Sequence, residues 1–241
     1  MIAIYKREMQ AFFTSPAGYI YIAMFVAVSG FFFSMFTLLS AENSSITSYF
    51  TAELFIAALM TPLLTMKSFS EERKQKTEQL LMTSPITLPG MVMGKFLASY
   101  SMFGIAFLIT SLNLPIALSH LSEENLFRYN AVCALGGAVA LFLVGGTFIA
   151  IGVFISALTE NQIVSGSVTI VVLAVLLLIS FVNSYIGFAP LRAVFSWLSI
   201  YTRFSNFSAG YFDIAALLYY LSIMGVCVFL TVRVYEKRRW A

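Results

Sequence analysis

Six apolar runs divide this sequence of 241 residues, at 17–39, 50–66, 91–118, 131–155, 163–182 and 214–232. Each is close to the roughly 20 residues that a helix needs to cross the hydrocarbon of a bilayer. A backbone in lipid must satisfy its own hydrogen bonds, so such runs are helices. Composition agrees: 60% of the residues are hydrophobic and 10% charged, against about 25% charged in a soluble domain. The expected fold is an all-α polytopic membrane protein with six transmembrane helices. The first run is longer than the roughly 7–15 residues of a signal-peptide core and is read as a retained helix. The second is short and carries Glu53 and Pro62; the third has Lys95 at its start and Asn113 and Pro115 near its end.

Lys and Arg placement orients the bundle, because cytoplasmic loops collect these residues. With the N-terminus inside, Lys6, Arg7, Lys67, Arg73, Lys74, Lys76, Lys95, Arg233, Lys237, Arg238 and Arg239 are inside, and Arg128, Arg192 and Arg203 outside. That is eleven against three of the fourteen, so both termini are expected in the cytoplasm. Residues 1–14 intersperse Ile2, Ile4, Tyr5, Met9, Phe12 and Phe13 with Lys6, Arg7, Glu8 and Gln10, the pattern of an amphipathic helix lying in the interface. Residues 185–210, with Trp197, several Tyr and Phe, Arg192 and Arg203, are too interrupted to span. They read as an outer-face re-entrant or interfacial segment before the last helix.

One polar island stands out, residues 68–84, followed by Pro85. Ser68 with Glu71 three residues on fits a capping box. Glu71 and Gln75, Glu72 and Lys76, and Lys74 and Glu78 are spaced to support one another on a helix. Leu80, Leu81 and Met82 give an apolar end, and Pro85 disfavours helical geometry at Ser84. The expected product is a short capped helix tied to the second and third spans. A solvated charged loop is the plainer reading of such a run, but only a stiff element can transmit force to the helices it joins.

The stretch TPLLTMKSFSEERKQKTEQLLMTSPIT, residues 61–87, resembles the signature region of the ABC-2 type transporter permeases, and YKREMQAFFTSPAGY, residues 5–19, resembles that family's start. Within the family the chain looks like the small permease subunit of the gliding-motility-associated ABC transporters of bacteria. It is similar also to the copper-insertion permease of nitrous oxide reductase assembly. The resemblance covers the whole chain, 1–241, as a single transmembrane domain. It implies a half-transporter in the bacterial plasma (inner) membrane, pairing with a second copy or a larger homologous permease and binding two copies of a cytoplasmic ABC ATPase. ATP and Mg would sit on that ATPase, with no cofactor on this chain. The coupling helix would map to residues 70–84, with Ser70, Glu71, Glu72, Arg73, Thr77, Glu78, Leu80 and Leu81 at the ATPase and Glu160 as a second contact. Residues 1–14 would be the elbow helix.

The remaining signals are weaker. Ala131, Ala138, Gly145 and Gly152 recur every seven residues along the fourth run and form a helix-packing or dimer face. Glu53 is expected as a solvated carboxylate near the outer end of the second span, and Lys95 as a side chain that snorkels to the inner interface. Gly90, Gly94 and Lys95 mimic a phosphate-binding loop, but the spacing is one residue short, Phe96 replaces Ser or Thr, and no strand precedes them. His120 is the single histidine and Asp213 the single aspartate, so neither a metal site nor a Ser-His-Asp set can be built from one chain. A membrane enzyme is therefore not expected, nor is nucleic-acid binding. A secondary transporter without an ATPase is the alternative, opposed by nearly charge-free helix interiors and the absence of visible repeats.

Overall fold

The computed structural model describes residues 1–38, 46–77, 87–119, 124–183 and 188–240. Among them every regular element is helical, and six helices are long and apolar enough to cross a membrane. Helix α1, Ile2–Thr14, turns at Ser15 into α2, Pro16–Phe33, where Pro16 opens the helix without losing a needed hydrogen bond. A π turn, Ser34–Leu38, ends α2. The second span is α3, Ile46–Thr65, four residues earlier than its apolar run suggested because Ile46 and Tyr49 are buried with it. Helix α4 is Ser70–Lys74 and α5 is Leu88–Ser111. A turn at Leu112 separates α5 from α6, Asn113–Ser119. The fourth span is α7, Glu124–Leu158, and α8 is Gln162–Asn183. Two short helices follow, α9, Ala189–Leu198, and α10, Ile200–Ser208, before the last span α11, Ile214–Trp240.

Helix α7 is the hub. Its small residues let neighbours approach as closely as backbone allows. A Cβ on Gly145 would lie 2.2 Å from the Phe103 ring of α5, one on Gly152 2.3 Å from Thr65 Oγ1 of α3, and one on Gly137 2.5 Å from the Phe50 ring of α3. Two of the four heptad-spaced small residues thus sit against this chain's own helices. Ala138 packs on the same core, while Ala131 is half-buried. Helix α10 also seats on α7: Ile200, Phe204 and Phe207 are buried, and a Cβ on Gly136 would meet the Phe207 carbonyl at 2.2 Å.

The polar island departs from its expected form. Its helix is five residues long, and turns carry the chain on to Thr77, with Lys76 in the left-handed region at φ 56°. Glu78, Leu80, Leu81 and the Ser84-Pro85 stop lie outside the described residues. The capping box does not form, because Phe69 is the N-cap residue and no side chain of α4 caps it. Instead the Phe69 and Ser70 N–H groups donate to Ser156 Oγ of α7, at 3.1 and 3.2 Å. A long-range hydroxyl does the work that the local pattern assigned to Ser68.

A charged junction as the candidate functional site

Helix α4 is held from three sides at the end of the bundle that carries both termini. The first attachment is Lys95, about two turns into α5 and 2% exposed. Its ammonium donates to Glu8 Oε1 of α1 at 2.9 Å and to the Ser68 carbonyl at 2.6 Å, and it pairs with Glu72 Oε1 of α4 at 2.9 Å. Two hydrogen bonds and a further ion pair thus surround the ammonium, and the Phe69 ring covers it at 5.0 Å. The second attachment is Arg7 of α1, which pairs with Glu72 at 2.6 Å and Glu8 at 3.0 Å. Two cations and two anions close a neutral cluster.

The third attachment is Arg73, whose guanidinium pairs with Glu160 at 2.6 Å and donates to the Leu158 carbonyl at 3.2 Å. This fastens α4 to the turn between α7 and α8. The last turn of α7 receives Arg238 from the end of α11, donating to the Ala157 carbonyl at 2.7 Å, and the Tyr235 ring lies tilted against Phe69 with ring centres 4.9 Å apart. Burial would push the Glu8 carboxyl up, but the Lys95 charge and hydrogen bond, then those of Arg7, outweigh it and hold Glu8 below the usual carboxylate range.

These contacts sort the sequence-predicted residues. Ser70 is fully buried and donates to the Met66 carbonyl. Glu72 is committed to Arg7 and Lys95, and Arg73 to Glu160. Glu71 accepts from Gln75 at 3.3 Å, and Thr77 donates to the Glu72 carbonyl at 3.3 Å. Lys74, Gln75 and Lys76 are the exposed face of the segment. Lys95 does not snorkel, because two carboxylates and a carbonyl meet it inside. Sequence reasoning missed this because its ion-pair partners lie 87 and 23 positions away along the chain. The one signal was a lone lysine beside Phe96 on a helix whose neighbouring positions are apolar.

Glu53 also departs from expectation. It is fully buried rather than solvated at a helix end. Its Oε1 accepts from the Ser29 hydroxyl of α2 and from Tyr49, one turn back on α3, at 2.8 Å. The carboxyl therefore pins the first span to the second.

Six membrane-length helices around a glycine-lined hub define a multi-pass membrane protein. Over residues 2–233 the chain matches the model of the ABC-2 family transporter proteins, and it belongs to that family. As a membrane protein of that family it is the permease component of an ABC transporter. No curated protein matches it.

Proposed function

We propose that this chain couples ATP hydrolysis by a separate cytoplasmic ATPase, bound in two copies, to export across the bacterial inner membrane, with both termini in the cytoplasm. The observation that carries this reading is the wiring of α4. A short charged helix with Lys74, Gln75 and Lys76 facing outward is fastened by ion pairs to α1, α5 and the α7–α8 turn. A displacement of α4 is thus shared by several spans at once. ATP and Mg belong to the ATPase; this chain supplies the lever and the path. A second permease, a copy of this chain or a larger homologue, completes the path. The resemblance of residues 61–87 to the gliding-motility-associated permeases supports placement in that branch.

The test uses affinity-tagged full-length protein solubilised from native membranes. A nucleotide-hydrolysing subunit should co-purify with it, and a Lys74→Glu, Lys76→Glu double variant should lose most of that subunit while keeping its own thermal stability. Undiminished co-purification would remove α4 as the docking element. Reversing Glu72 or Arg73 would not serve, since both hold the permease itself together.

A further inference from the structure

Glu53 poses a problem that the charged junction does not. Its Oε1 accepts two hydroxyl hydrogen bonds, yet its Oε2 is buried without a partner. The elements packed against α3 offer few titratable groups. They are Tyr19 and Tyr21 on α2, Lys95 and Tyr100 on α5, Cys133 on α7 beyond the Glu124, Arg128 and Tyr129 of its first turns, and Tyr201 and Arg203 on α10; the π turn and α8 carry none. Lys95 is spent at the charged end of the bundle. Arg203 lies over the Tyr219 ring at 4.4 Å and donates to the Trp197 carbonyl. Among the described residues no cation touches the carboxyl.

An isolated carboxylate in an apolar interior is so costly that the group takes up a proton instead. A metal cation is the other way to neutralise it. A hard divalent cation, however, takes about six or more oxygens, and here Glu53, Ser29 and Tyr49 converge with the Asn113 amide beside Tyr49, too few for such a shell, with both hydroxyls spending their hydrogens on the carboxyl. We propose that Glu53 is a proton-binding site, a neutral acid in the closed bundle whose protonated form belongs to the clasp between α2 and α3. Opening the clasp to water breaks the carboxyl O–H bond and passes the proton to water, with no other bond altered. The proposal needs no ATPase and stands apart from the docking role of α4.

The experiment uses the full-length protein in lipid nanodiscs near neutral pH. Infrared spectra of wild type and Glu53→Gln should differ by the carbonyl stretch of one protonated carboxyl, unchanged when choline chloride is replaced by sodium chloride. A difference showing only a carboxylate band would overturn the proposal, and so would an acid band that disappears in sodium, which would mark a cation site. Should Glu53→Gln fail to fold, Tyr49→Phe assigns the band. Removing one donor to the carbonyl oxygen should move the acid band to higher frequency, and an unmoved band would count against Glu53. Thermal melting provides an independent readout. The unfolded chain releases this proton once pH passes the ordinary carboxyl range, so with rising pH wild type should lose stability more steeply than Glu53→Gln, by up to one proton's worth. Parallel pH profiles would overturn the assignment.

Discussion

Helices α3, α5 and α7 have 61%, 61% and 72% of their spanning windows buried; α2, α8 and α11 have 22%, 28% and 28%. The inner set is not the more apolar set. Helix α3 is the least apolar of the six spans and α8 the most. In water this would be upside down. In lipid it follows from the solvent: hydrocarbon is as apolar as leucine, so an apolar side chain gains little by moving inward, whereas a polar one must leave the lipid. Glu53, Thr61 and Thr65 of α3 and Lys95, Ser99 and Thr110 of α5 are all buried, while Val171, Val175, Leu178 and Phe181 of α8 face outward. Even α8 obeys the rule, because Ser165 and Thr169 lie on its buried stripe with Leu173 and Leu177. Helix α7 is the instructive exception, both very apolar and deeply buried, because small residues bring its neighbours close and only a few hydroxyls, Thr147 and Ser156 among them, are buried with them.

The sharpest way to break the inner set is to remove a charge that it has paired. Lys95→Met leaves Glu8 and Glu72 facing each other with only Arg7 between them. Breaking a buried pair costs about 3–5 kcal/mol, and the two acids are 18% and 17% exposed, so the lower end, about 3 kcal/mol, is expected in thermal unfolding. Protease cleavage within α1 should rise with it, and Lys95→Arg should restore part of the loss. Next in size is the hub. Gly145→Val puts a branched side chain where Phe103 already sits, and overpacking of this kind costs about 1–3 kcal/mol, read as a lower melting midpoint with the charged junction intact.

A smaller effect separates the junction from the core by pH. The carboxyl of Glu8 is held below its ordinary value of 4.5, so its contribution is complete above that value and is lost as pH falls through the lower folded one. A fluorophore on α1 should therefore report a docked helix from neutral pH down to about 4.5 and release only below it. Release at a higher pH would show that Glu8 does not hold α1 in place.

How much of this could be read along the chain depends on how far apart the partners lie. The six spans were legible because each is decided by one continuous run. The split of residues 185–210 into two helices, with Ser199 capping α10 through the Thr202 N–H at 3.2 Å, was not, since it turns on a single hydroxyl. The length of α4 was misread for a related reason. Ser68 and Glu71 have capping-box spacing, but Ser156 supplies the acceptor and the Ser68 carbonyl is taken by Lys95. Burial of Glu53 was hidden because its place near the start of a helix resembles a solvated end. Its clues were the four-residue spacing of Tyr49 and Glu53, and the matching stripe of Tyr21, Phe25, Ser29 and Phe33 on α2, all buried.

The smallest predicted effect tests the outer set. Gly225 of α11 is exposed, and a Cβ there would meet nothing within 4 Å. Glycine within a helix costs roughly 0.5–1 kcal/mol relative to alanine, so Gly225→Ala should raise the melting midpoint slightly in detergent or nanodiscs. Gly225→Leu should also be tolerated if lipid alone faces this side. A loss of stability on Gly225→Leu, with Gly225→Ala harmless, would mean that another chain covers α11. The 28% burial of this span would then understate its burial in the assembled transporter, and α11 would belong with the inner set. The contrast between the two sets of helices is therefore a statement about one chain, and this substitution measures whether it survives assembly.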